Sequence, residues 1–324
     1  MTSESKVAAP TQSKRDSLMT HDLIARTSNL FKLNPEKLFP HKNMFFALKA
    51  RDQGKENRCV AEAFCFAMYL VACRDIDEKK RLLLASSDAQ PSAAYAYDAC
   101  RREECNTTGR VQCKRRLYSK QGIIQHTSSA NVCGGMCEDV GSSLSAMRSV
   151  CARGVVAKRH FKDNPDAFEM LKSLQPTFLD ECMYYKIEPN GLSFIPVSMR
   201  SKQIASVIQR ELLKGNPIVM NTYMYRSFIP FWNRLSKPNT ARSVYDAAFQ
   251  LPAVKRGEVC MPMGHAMVIV GIDPGTGRVR VRNSRGPDWG YQGDFCMSFS
   301  QLNHRYLASL AVIHRVQINN FMNT

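Results

Sequence analysis

The sequence predicts an α+β fold in which a helical lobe precedes a lobe built on antiparallel strands. Three observations carry that expectation. Apolar residues recur at helical spacing up to about residue 215, and the pattern turns strand-like after Pro217. The stretch CVAEAFCFAMYLVAC, Cys59 to Cys73, is apolar nearly all round, which marks a helix buried on every side. HAMVIVGID and RVRVRNS flank the turn DPGTG and read as a β-hairpin. Helices first and strands second is the order of an α+β protein.

Residues 1–40 are rich in Ser, Thr and Lys and read as a basic, flexible arm with a short helix around Asp22–Phe31. Residues 41–324 form one two-lobed domain, with the helical lobe at about 41–200 and the β lobe at about 201–324. RDQGKENRC is a polar loop leading straight into the Cys59 helix. Helices are predicted over 91–102, with Pro91 near the start, and over 141–155, with a serine cap and Gly154 as the stop. Residues 100–135, rich in Cys, Gly and Arg, read as an insertion. Another helix is expected at 166–176, ended by Pro176, and an amphipathic one at 201–217. In the latter Ile204, Val207, Ile208 and Leu212 face inward, and Gly215 ends it. Strands follow at 218–225, 265–273, 278–284 and 309–318. Residues 229–262 are a second insertion, expected on the surface or over a cleft.

The 324 residues suffice for a sizeable core, and 44% hydrophobic with 23% charged residues is a globular composition. No apolar run of about 18 residues exists, so no membrane span is expected. The polar start has no signal-peptide core, which predicts an intracellular, cytoplasmic protein. The 12 cysteines are then mostly free thiols. A local disulfide or a zinc site within Cys100–Cys151 are the alternatives, but no C-x2-C pair is present. Neither a metal nor a cofactor is expected. The net charge of +17 gives a basic surface. It is either simply solvated or in nonspecific contact with nucleic acid or an acidic partner, through clusters such as Lys114–Arg116 and Arg278/Arg280/Arg282.

Cys59 stands at the N-terminus of its helix, where the dipole and unpaired N–H groups favour a thiolate. A thiolate nucleophile needs a base and an oxyanion donor. His265 opens an apolar strand and Asn283 ends its hairpin partner, so the two can meet on one face. The asparagine amide oxygen can then accept from the imidazole and orient it.

Together these segments resemble known motifs. Asp52-Gln53-Gly54 ahead of Cys59, GHAMVIVGID at 264–273 and NSRGPDWGYQGDF at 283–295 resemble the nucleophile, histidine and asparagine motifs of papain-like, cathepsin-type cysteine proteases, in the family's order. Residues 139–147 resemble the cleft-lining segment, and LLKGNPIVMNTYMYRSF the entry to the sheet lobe. The resemblance implies a papain-like two-lobed fold acting on protein or peptide substrates. Cys59 would attack the peptide carbonyl and form a thioester. His265 would hold the thiolate as an ion pair and then protonate the leaving amine, with Asn283 orienting it. The Gln53 amide and the Cys59 N–H would form the oxyanion hole. Gly141 would pair with substrate backbone, and Trp289 would shield the His–Asn bond. Ser143 and Gly264 are candidates for pocket walls.

The chain departs from the pattern at Glu56, where a disulfide cysteine is usual, at Val60, where a tryptophan follows the nucleophile, and at Arg285, where a tryptophan follows the asparagine. The Cys-to-His interval also exceeds the roughly 130–150 residues of papain relatives. Intracellular, highly basic papain-like proteases are similar to those encoded by large DNA viruses, which adds the virion as a location. Two alternatives stand beside peptide hydrolysis. One is thiol chemistry on ubiquitin-like or other isopeptide or acyl substrates. The other is a papain-like fold without catalysis, serving as a basic binding protein.

Overall fold

The computed structural model describes residues 50–54, 57–76, 84, 86–107, 118–119, 122–123, 144–161, 178–236, 243–261 and 264–320. The arm 1–40 and the 166–176 segment lie outside them, as do Gly141, Ser143, Lys114–Arg116 and most of the 100–135 insertion.

Helix α1, Cys59–Asp75, is the central element. Every side chain from Cys59 to Cys73 is buried, including Glu62. It is covered on all sides because it packs against the helices α2 (Ala93–Thr107) and α3 (Leu144–Arg153) and also against the main sheet. The short strands β1 (Tyr118–Ser119) and β2 (Gly122–Ile123) pair with each other. Strand β3 (Val155–Val156) follows α3, with Gly154 between them at φ +139°. A single helical turn, α4 (Phe178–Glu181), then leads into β4 (Tyr184–Ile187) and β5 (Leu192–Phe194).

The second lobe begins with α5, Ser201–Leu213, which buries Ile204, Ile208 and Leu212 and turns at Gly215. Strand β6 (Ile218–Tyr223) and the short helix α6 (Ile229–Leu235) come next. Strands β7 (Gly264–Asp273), β8 (Arg278–Arg282), β9 (Asp294–Ser298), β10 (Leu307–Ile313) and β11 (Val316–Asn319) complete the chain. The main sheet is antiparallel, in the order β5-β10-β6-β7-β8-β9.

This sheet is the wall between the lobes. Along β7, Ala266, Val268 and Val270 face the core that contains α1, whereas Met267 and Ile269 face the β-lobe core. Both faces are covered, which is why β7 reads as a continuous apolar run rather than an alternating one. The fold class is therefore α+β with two lobes, as the sequence predicts.

Two expectations change. The predicted strand 309–318 is two strands in different sheets, broken at His314–Arg315: β10 lies in the main sheet, and β11 joins β4 and β3 in the helical lobe. Residues 229–262 are not a surface insertion throughout. Phe231, Leu235, Phe249, Leu251 and Val254 are buried in the β-lobe core.

The eight cysteines described, Cys59, Cys65, Cys73, Cys100, Cys151, Cys182, Cys260 and Cys296, are all free thiols. Among the described residues no cluster of His, Cys, Asp or Glu could hold a metal, and no helix is long and apolar enough to cross a membrane.

Two of the three arginines of the β8 cluster are internal. Arg280 and Arg282 are buried and converge on Asp294, with Nε to carboxylate distances of 2.5 and 2.7 Å, and the Arg282 guanidinium lies over the Phe66 ring. Arg278 donates to the Tyr245 carbonyl. Arg280 and Arg282 are thus drawn inward, with Arg282 reaching the helical lobe at Phe66, whereas Arg278 is only partly buried.

Candidate active site

Cys59 is the first residue of α1 and is 9% exposed. No side chain caps the helix start at Arg58, so the first-turn N–H groups are not taken up by a cap. The backbone N–H groups of Ala266 and Val60 bear on the Cys59 sulfur and favour its thiolate. Ala266 follows His265 on β7, so the nucleophile lies against the strand that carries the base.

His265 Nε2 lies 2.7 Å from Asn283 Oδ1. The same Oδ1 accepts the backbone N–H of Ser284 at 2.8 Å. A backbone N–H can only donate, so the Asn283 atom must be the amide oxygen. His265 Nε2 is then the protonated nitrogen, and in the neutral ring Nδ1 is the one able to accept a proton. Asn283 is 2% exposed, so its orientation of the ring is sheltered from water.

Gln53 is held on the same frame. Its backbone N–H donates to Ser284 O at 3.0 Å, and its amide oxygen accepts the Ser284 hydroxyl at 2.5 Å. With that oxygen held by Ser284, donation to an oxyanion comes from the amide NH2. Asp52 and Arg285 form a β-bridge, and Gly286 N–H donates to Arg51 O at 3.0 Å. The glutamine loop is thus clamped to the chain that follows Asn283. Gly293 permits this, because a Cβ there would sit 2.1 Å from the Ala50 Cβ and its φ is +90°.

The aromatic cover differs from the expectation. Trp232, on α6, presents an edge-to-face contact to His265, with centroids 5.9 Å apart. Trp289 is buried behind it, stacked on Trp232 at 5.1 Å. Trp289 is therefore one ring removed from the histidine. Sequence reasoning missed Trp232, although a signal existed. The chain has two tryptophans, and the motif position that usually carries a second one holds Arg285. Edge-to-face pairs are worth about 0.5–1.5 kcal/mol beyond burial, or about two- to tenfold in rate if spent on positioning. Trp232→Ala is accordingly expected to lower kcat by that factor, and Trp232→Phe to restore most of it in steady-state assays. Equal losses in both variants would show that ring contact does not position His265.

Opposing influences set the charge in the site. Burial raises the Cys59 thiol above its ordinary value, against the opposing N–H groups and the nearby Arg285 charge. Burial lowers His265 to about 4, opposed by its bond to Asn283 and reinforced by Arg285. Burial thus opposes, and the helix-end N–H groups support, a charged Cys59.

Beneath Cys59 lies a further buried charge group. Glu62 pairs with Arg51 Nε at 2.8 Å and Arg58 Nε at 3.0 Å. It locks the first turn of α1 to the loop that carries Gln53. Gly264 is exposed at the start of β7, beside His265, where a pocket wall is expected.

Solved structures similar to this chain include cysteine proteases. Xylellain, a cysteine protease from Xylella fastidiosa, superposes with a TM-score of 0.52 at 18% identity, over 84% of this chain and 84% of that one. Bromelain from Ananas comosus, solved with the inhibitor E64, gives a TM-score of 0.44 at 12% identity over 85% and 97%. A Carica candamarcensis cysteine protease solved with E-64 gives 0.43 at 13% over 85% and 96%. No protein-family model matches the sequence, and no curated protein does. The xylellain superposition gives this chain the papain-like fold.

Proposed function

We propose that this protein is a cysteine peptidase that hydrolyses peptide bonds through a thioester on Cys59. The observation that carries the reading is the His265–Asn283 bond, whose direction is fixed by the Ser284 N–H. It leaves Nδ1 as the proton acceptor on a ring one residue from the backbone group that contacts the Cys59 sulfur.

The reaction begins with transfer of the Cys59 proton to the histidine. Cys59 passes its proton to His265 Nδ1 as its sulfur bonds to the substrate carbonyl carbon. The carbonyl oxygen becomes an oxyanion facing the Cys59 N–H and the Gln53 amide. The C–N bond then breaks, and the leaving nitrogen takes the proton from His265. Water, deprotonated by the same nitrogen, opens the thioester and returns the proton to Cys59. The substrates are proteins or peptides, and free thiols suit a reducing compartment.

Gln53→Ala tests the oxyanion role. Loss of one such donor costs on the order of 10²–10³ in kcat. Hydrolysis of a denatured protein substrate under reducing conditions, with the products sequenced, should show new N-termini at a rate reduced by that factor. Unchanged turnover in the variant would remove Gln53 from the mechanism. No cleavage by the wild-type chain would remove the peptidase reading itself.

A further inference from the structure

Arg285 stands where the sequence pattern leads one to expect a tryptophan, and the structure shows what its position offers. Its backbone is clamped on both sides, by Gln53 N–H to Ser284 O and by Gly286 N–H to Arg51 O. Its own residue forms the β-bridge to Asp52. The neighbouring Ser284 side chain is buried against Gln53, whereas the Arg285 side chain is exposed. Among the described residues no carboxylate is ion-paired with it, in contrast to Arg51, Arg58, Arg280 and Arg282. The guanidinium is nevertheless close enough for its charge to act on both Cys59 and His265. A cation on a clamped backbone beside the reacting centre, without an ion-pair partner among the described residues, can meet an anion from outside.

The side of the cleft follows from the chemistry. In the reaction proposed above, the acyl half of the substrate stays on Cys59 and the amine half leaves with the proton of His265. The leaving half must therefore lie against His265. Arg285 extends from the short segment that holds Asn283 to that ring.

Resting on that peptidase reading, we propose that Arg285 is a specificity-determining residue that selects substrates bearing a carboxylate on the leaving-group side of the scissile bond. The carboxylate comes either from an acidic side chain just beyond the bond or from a C-terminus a residue or two away. Arginine suits either, because its planar fork can engage a carboxylate through two donors.

The test uses internally quenched peptides that differ only in the residue after the scissile bond, Glu, Gln or Lys, each with a free or an amidated C-terminus. They are assayed with the full chain and with Arg285→Ala, Arg285→Lys and Arg285→Glu. At low salt the wild type should favour Glu over Lys by about fivefold in kcat/KM, the upper range for an exposed ion pair, and the ratio should shrink as salt rises. Arg285→Lys should keep the preference, Arg285→Ala should bring the ratio to near one, and Arg285→Glu should invert it. A preference that follows the free C-terminus rather than the Glu side chain identifies the terminal carboxylate as the ligand. Cleavage with no charge preference in the wild type, or a preference unchanged in Arg285→Ala, overturns this inference and leaves the peptidase reading intact. No cleavage of any peptide overturns both.

Discussion

Cys59→Ala is expected to reduce peptide hydrolysis by on the order of 10⁶-fold, the loss typical when the nucleophile of a catalytic group is removed. The physical ground is that, among the described residues, no other cysteine can replace it. Cys65, Cys73, Cys100, Cys151, Cys182 and Cys296 are all buried away from water. Burial pushes Cys65 up to about 12 and Cys296 up to about 11, so these thiols stay protonated. Cys260 is exposed, but it lies outside the His265–Asn283 arrangement. The fold should survive the change. Removing one sulfur at the start of α1 deletes little packed volume, and an average substitution costs about 1 kcal/mol. Paired assays of turnover and urea denaturation check both halves. Residual hydrolysis within a hundredfold of wild type would mean that another group carries the chemistry.

Asp294→Ala is expected to be the most damaging single change to stability. Asp294 is fully buried and receives Arg280 Nε at 2.5 Å and Arg282 Nε at 2.7 Å, with a further Arg282 bond at 3.0 Å. Removing the carboxylate takes away the counter-charge on which both buried guanidinium groups converge. Deleting one partner of a buried pair costs about 3–5 kcal/mol. That is a large share of the roughly 5–15 kcal/mol that holds a typical domain folded. Activity should fall with stability, because Asn283 follows Arg282 directly and its N–H bonds to Gly293 O, the residue before Asp294. Denaturation by guanidinium gives the readout. A loss below about 1 kcal/mol would show that water reaches these arginines and that the pair is not a structural anchor.

The parts of the site legible in the sequence are those set by local pattern. Cys59 opens an all-apolar helix, His265 opens an all-apolar strand, and Asn283 closes the strand hairpinned to it. Each is fixed by short-range periodicity and a turn, and the structure places His265 and Asn283 in hydrogen-bond contact. What was not legible depends on contacts distant in sequence. Trp232 reaches His265 from a segment with no motif, and only the β-lobe packing of Phe231 and Leu235 brings it there. The break between β10 and β11 has no Gly or Pro to mark it. Each half obeys a strand pattern, and only the partners, β6 in one sheet and β4 in the other, separate them. The short strands β3 and β4 were missed for the same reason. Charge was the least legible property. Backbone N–H groups and a nearby arginine favour the Cys59 thiolate, whereas burial, which no local pattern reveals, raises the thiol. The arginines of β8 look from sequence like a surface patch, yet Asp294, a dozen residues on, draws two of them inward.

The central claim is that Cys59 is a nucleophile activated by His265 at the moment of attack. Its most direct test is the rate at which a thiol-directed epoxide modifies each cysteine as pH is varied, mapped by mass spectrometry in the wild type and in His265→Ala. His265 at about 4 is neutral, and so able to accept a proton, above that pH. The account predicts that Cys59 is modified first, with an acid limb near pH 4 that disappears together with the fast reaction in His265→Ala. Modification of Cys59 no faster than of Cys260, or a rate indifferent to the loss of His265, would contradict it.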